Sequence, residues 1–161
     1  MNEKEFLQFL DTHNFSYERF EHPAVYTCAE AEQHRPHQPT ISTKNLFLCD
    51  KKARRFFLVV TACEKTMNIK HLAEQIDVSN LRFGSEENLE RLLGVKPGAV
   101  TMMALINDTA YQVELWLDEE IWQGEIFQSH PLVNTATLLL SRASLERFFE
   151  ITGHPIHLLK A

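Results

Sequence analysis

Three short stretches place polar side chains where a strand begins or ends. Lys44 and Asn45 stand at the head of "NLFLCD". "VKPGAVT" (residues 95–101) turns into an apolar run, and "SHPLVNTAT" (129–137) leads into another, with His130 fixed by the following Pro131 and Asn134 at a turn-prone position. A lysine brings a compact point charge. An asparagine both donates and accepts, and a histidine can hold a proton near neutral pH. Strand ends often gather on one rim of a sheet, and pockets form there. Each residue also has a plainer use: a solvated charge for Lys44, a turn cap for His130, an ordinary turn residue for Asn134.

Other chemistries lack their residue patterns. Among eight histidines there is no HxxxH or HExxH, and His34 and His37 in "HRPH" read as loop histidines, so no metal site is expected. Cys28, Cys49 and Cys63 are far apart, odd in number and form no CxxC, which suits a reducing cytosol rather than a disulfide framework. GxSxG and glycine-rich phosphate loops are absent, so a serine triad or a nucleotide cradle has no support.

The elements that must position these residues follow from periodicity and caps. Helices are predicted over 2–13, 28–34, 68–76, 85–94 and 144–152, with Asn2, Thr27, Asn68, Ser85 and Ser144 as N-caps and Gly94 and Gly153 closing two of them. Strands are predicted within 16–27, at 45–50 and 55–60 as a hairpin, and at 81–85, 99–107, 111–118, 136–141 and 154–160. The run "AVTMMALIN" is nearly all apolar and reads as a central strand buried on both faces. The fold class is α+β: a single domain over 1–161 around a central, largely antiparallel mixed sheet flanked by helices.

Composition narrows the function. The 161 residues are 44% apolar and 24% charged, with 16 Lys+Arg against 22 Asp+Glu and a formal charge of −6. An acidic chain is not a general nucleic-acid binder, although the hairpin residues Lys51, Lys52, Arg54 and Arg55 make a local basic edge that suits one end of an RNA. The opening residues show no signal-peptide core, and no window has the run of apolar residues that a membrane span needs. A cytoplasmic protein without a membrane association is expected.

"TKNLFLCDKK" (43–52), "LGVKPGAVTMMALIND" (93–108) and "HPLVNTATLLLS" (130–141), in this order and spacing, closely resemble the free-standing prolyl-tRNA editing proteins. This is the YbaK or aminoacyl-tRNA deacylase family, related to the insertion domain of bacterial prolyl-tRNA synthetases. The likeness is strongest to the branch that hydrolyses Ala-tRNA(Pro). It implies a trans-editing hydrolase that cleaves the ester between alanine and the terminal adenosine. A pocket built for proline cannot strongly reject a smaller apolar side chain, and a second site supplies the missing discrimination. The ester is already activated, so no cofactor is implied.

By position, the resemblance implies that Lys44 contacts the tRNA 3′ end and that Asn45 meets the substrate carbonyl or amino group. The stretch Gly98, Ala99, Val100, Thr101 and Met102 matches the family's Gly-x-x-x-Pro loop, whose backbone groups hold the ester and the attacking water. His130 matches the histidine that shapes the small-amino-acid site, and Asn134 lies in the same motif. Two departures stand out: Met102 replaces the usual loop proline, and "HQPTIST" lacks a glycine common before the Lys-Asn pair. The implied partner is the acceptor end of tRNA(Pro), with prolyl-tRNA synthetase or an elongation factor as the candidate protein that delivers it. A sister specificity toward Cys-tRNA(Pro) or Ser/Thr-tRNA, or a tRNA-binding module without catalysis, stays open at this point.

Overall fold

The computed structural model describes residues 1–34 and 39–160. Asn2 accepts from the Glu5 N–H at 2.9 Å while the Glu5 carboxylate accepts from the Asn2 N–H at 3.0 Å, a capping box that opens α1 (Glu3–Thr12). Strand β1 (Glu18–Glu21) follows, then α2 (Cys28–Glu32), whose first turn is capped by Thr27. Strands β2 (Thr43–Asp50) and β3 (Phe56–Ala62) form the expected hairpin. Next come α3 (Ile69–Ile76), β4 (Leu81–Phe83) and α4 (Glu86–Leu93). Gly94 ends α4 in the left-handed region at φ 64°, where glycine has no Cβ penalty. The chain closes with β5 (Val113–Asp118), β6 (Ile126–Ser129), β7 (Ala136–Ser141), α5 (Arg142–Thr152) and β8 (Ile156–Leu159).

The strands build two sheets rather than one. A five-stranded sheet runs β4-β2-β3-β5-β8, and an antiparallel three-stranded sheet runs β1-β7-β6. In the larger sheet β2 is antiparallel to both neighbours, whereas β3-β5 and β5-β8 are parallel. The sheets meet near Ile41, which bridges to Phe127. Alternation sorts the β2 side chains: Phe47 and Cys49 face the main core, with Phe6, Phe127 and Phe148, while Leu46 and Leu48 face a smaller cluster under α3.

Four expectations need correction. The run 99–107 is not a strand: Pro97–Ala99 and Met102–Asn107 are 3₁₀ segments, the second with Met102 to Leu105 buried. A continuous apolar run marks burial on all sides, which a short helix satisfies as well as a strand. Strand β6 carries no strong sequence signal; its residues "IFQS" alternate over only four positions. Helix α5 begins two residues earlier than expected, at Arg142, because its N-cap is Ser141, which accepts from the Ser144 N–H, and not Ser144. Finally, Cys28 and Cys63 form a disulfide, with Cα atoms 5.7 Å apart, and only Cys49 is free. A separation of 35 residues gives no local sign of pairing; α2 packing beside the end of β3 creates it. His37, read as a loop histidine, lies outside the described residues. Among the described residues, no helix is long and apolar enough to cross a membrane.

Candidate active site

The cleft opens where β2 begins. Lys44 and Asn45 border an outer chamber of about 150 Å³ together with Gly98, Val100 and His130. Behind it lies an inner chamber of about 40 Å³ that shares Asn45 and His130 and is walled by Ser129 and Thr137. Asn45 shares its pleat face with Phe47 and so belongs to the core side, while Lys44 belongs to the opposite face. Both reach the cleft because it lies at the strand's end. Lys44 makes no ion pair among the described residues. Asn45 Oδ1 is buried and accepts no hydrogen bond there. Buried polar atoms are nearly always paired, so an acceptor left open in a cavity wall points to a donor that arrives from outside. The other such atom, Trp116 Nε1, sits on the α3 side of the sheet.

The loop 97–102 forms the facing wall. A Cβ at Gly98 would stand 2.8 Å from the Tyr26 ring and 3.2 Å from Asn134 Nδ2, so a larger residue there would have to push the Tyr26 ring aside. Asn134 in turn donates to the Val25 carbonyl at 3.0 Å. The Ala99 N–H is spent on the Lys96 carbonyl at 2.8 Å, and Val100 leaves the 3₁₀ turn in extended backbone. Thr101 is fully buried and fully satisfied. Its hydroxyl donates to the His130 carbonyl at 2.9 Å and accepts from Ser129 Oγ at 3.0 Å and the Met103 N–H at 3.2 Å. Met102 points into the core and is the first residue of its 3₁₀ segment. At a helix's first position a missing N–H costs nothing, so proline and methionine are both compatible, and Thr101 holds the loop in either case.

His130 has a defined tautomer. Its Nδ1 lies 2.9 Å from the Ala136 carbonyl, which only accepts, so Nδ1 carries the proton. Burial lowers the His130 pKa, which keeps the ring neutral, and Nε2 is left with a lone pair. His22 stands beside it, ring centroids 6.3 Å apart, with its own Nε2 2.8 Å from the Thr137 hydroxyl.

The structure thus brings Lys44, Asn45, Gly98, Val100 and His130 to one cleft. Ala99 and Asn134 line a wider neighbouring groove of about 910 Å³, entered past Tyr26 and Gly98. Thr101 and Met102 support from beneath. The basic turn stands apart: Lys51 is about 23 Å along the strand from Lys44 at about 3.3 Å per residue. Arg55 is engaged there by Glu114 at 3.0 Å, and the backbone N–H groups of Arg54 and Arg55 are held by Asp50. Sequence reasoning missed the disulfide, Ser129 and Thr137 as cleft walls; their small size carries no pattern.

Residues 22–148 match the aminoacyl-tRNA editing domain family, and the chain belongs to that family. Editing of this kind is hydrolysis of an aminoacyl-tRNA ester, so the protein is an aminoacyl-tRNA deacylase. It is 39% identical over 153 residues to prolyl-tRNA synthetase associated domain-containing protein 1 of Danio rerio, covering 94% of this chain and 83% of that one. It is 33% identical over 145 residues to the prolyl-tRNA editing protein ProX of Acetoanaerobium sticklandii, covering 90% and 88%. A solved structure described as a candidate trans-editing enzyme for prolyl-tRNA synthetase superposes with a TM-score of 0.72 at 18% identity, covering 100% of this chain and 98% of that one, a likeness of fold.

Proposed function

We propose that the protein edits tRNA(Pro) in trans, hydrolysing Ala-tRNA(Pro) to alanine and free tRNA. The observation that carries this reading is the buried, unpaired Asn45 Oδ1 in a cleft shared with Lys44 and His130. The α-amino group of an aminoacyl ester supplies the N–H donor that this oxygen lacks. The inner chamber is the narrower of the two, about 40 Å³ against about 150 Å³, which supports a small acyl side chain over a bulkier one.

Water attacks the ester carbonyl carbon and a tetrahedral oxyanion forms. The Lys44 ammonium is the charged donor at the cleft for that charge. His130 shapes the chamber and offers Nε2 to orient the water, and the vicinal ribose hydroxyl of the substrate assists in placing it. Collapse expels the ribose oxygen, which takes up the proton that the attacking water gives up, relayed through the vicinal hydroxyl. Lys44 also meets the terminal nucleotide, as a point charge suits. The reading sets the activity in the cytoplasm, with the acceptor end of tRNA(Pro) as partner and prolyl-tRNA synthetase or an elongation factor delivering it.

A panel of Ala-, Ser-, Thr-, Cys- and Pro-charged tRNAs tests this. Alanine is expected to be released fastest and proline slowest. Faster release of cysteine, serine or threonine would assign a sister specificity, and protection of every ester would make the protein a binder.

A further inference from the structure

The proposed chemistry leaves the Cys28–Cys63 disulfide without a role, yet both cysteines line the inner and the outer chamber. Cys28 is the first residue of α2, and Ala31, three positions on, also lines both chambers. Residues at i and i+3 share a helix face, so one face of α2 is the wall opposite the sheet. That helix has little else to hold it. Its described side chains are exposed or only half-buried. Among the described residues, its neighbourhood is tied down by the stack of His34 on His22, 5.4 Å between centroids, and by the Val25–Asn134 hydrogen bonds before it. On the other side Cys63 is fixed, because its N–H donates to the Ser42 carbonyl at 3.0 Å at the mouth of β2. The disulfide therefore joins a loosely held helix to a rigid strand end across the acyl site.

The geometry points to the Cys28–Cys63 disulfide as the specificity-determining wall of the acyl chamber. This rests on the aminoacyl-ester reading of the same cleft. With the bond intact, α2 stays against the sheet and the inner chamber stays narrow. Reduction is thiol–disulfide exchange with a dithiol: its thiolate attacks one sulfur and expels the other as thiolate. The dithiol's second sulfur then displaces the mixed disulfide, leaving two cysteine thiols and an oxidised dithiol. With the tether gone, α2 moves outward and bulkier acyl groups enter. Cys49 does not compete for the exchange, since it is buried on β2 and burial pushes its thiol pKa up. In a reducing compartment such bonds are rare, so the wall reports the local thiol balance.

The test uses the whole protein before and after dithiothreitol, with the reagent removed. Alkylation in denaturant should label one thiol before reduction and three after; three before reduction overturns the proposal. The oxidised and reduced forms are then assayed on Ala-tRNA(Pro) and Pro-tRNA(Pro). The ratio of the two rates should fall about tenfold or more on reduction, the range one or two methylenes command, and Cys28→Ser and Cys63→Ser should match the reduced form. A ratio unchanged within about twofold overturns the wall and leaves the alanine reading standing. If the oxidised form prefers another acyl group, the alanine reading fails, and a shift toward bulkier groups on reduction still upholds the wall. An oxidised form that is inactive until reduced, or inactivity in both forms, overturns it. Ala31→Val, which narrows the same wall without touching sulfur, should slow alanine release in the oxidised protein and guards against misfolding of the serine variants.

Discussion

Thr101 Oγ1 donates to the carbonyl oxygen of His130 at 2.9 Å, one hydrogen bond that joins the two cleft-forming loops from beneath. Thr101→Val keeps the shape and leaves the His130 carbonyl and the Ser129 hydroxyl short of a partner. The loss of a buried partner costs about 1–3 kcal/mol, and each kcal/mol lowers Tm by about 2–4 °C in a domain of this size. A melting curve should show that drop, deacylation should fall mainly in kcat, and Thr101→Ser should restore both. A valine variant equal to wild type on both counts would show that the loops hold without this bond.

Lys44 has no ion-pair partner among the described residues, so its removal leaves no buried counter-charge behind. Lys44→Ala should stay folded by circular dichroism and lose deacylation on the order of 10²-fold, the scale for losing an oxyanion donor. Near-normal turnover would remove the lysine from the reaction.

Gly98 lies against Tyr26 and Asn134. In Gly98→Ala the exposed Tyr26 ring can swing aside, so stability should change by less than about 1–3 kcal/mol, while the cleft edge shifts and activity falls. The double variant Gly98→Ala/Tyr26→Ala should recover part of that activity if the clash is the cause. Equal activity in wild type and Gly98→Ala, measured in one deacylation assay, contradicts the close-approach account.

The His130 pKa is lowered by burial. Its folded-state pKa lies below its unfolded value, so the unfolded chain binds the proton first as pH falls. The neutral ring then contributes stability above the unfolded pKa, which is lost as pH drops toward the folded one. The rate should likewise be level above neutrality and fall on the acid side, below the ordinary histidine range. His130→Gln should flatten that acid limb. An acid limb unchanged in the variant assigns it to another group.

Caps and alternation made most of the fold legible. Asn2, Thr27, Asn68 and Ser85 each cap the helix they precede, because a cap is a local hydrogen bond that nearby residues decide. The 99–107 run and the split into two sheets were not legible: burial on every side erases the period that separates strand from helix. The cleft residues Lys44, Asn45, Gly98 and His130 were found from three motifs together, and their convergence at one strand end is a tertiary fact. Cys28 and Cys63 were read as free thiols, since only packing of α2 beside β3 brings them together. Lys51, Lys52, Arg54 and Arg55 are legible as a basic turn, and the length of β2 sets it apart from Lys44.

The central claim is that Asn45 Oδ1 waits for the amino group of an aminoacyl ester. The most direct measurement is single-turnover release of labelled alanine from Ala-tRNA(Pro) by wild type and by Asn45→Leu. Propionyl-tRNA(Pro), which keeps the ester and the methyl-bearing carbon and lacks the amino group, is run beside it. Rapid release is predicted from the free-amino substrate by wild type, with a large loss for the propionyl ester and a correspondingly small difference between the two esters in Asn45→Leu. Equal rates for the two esters in wild type would contradict it.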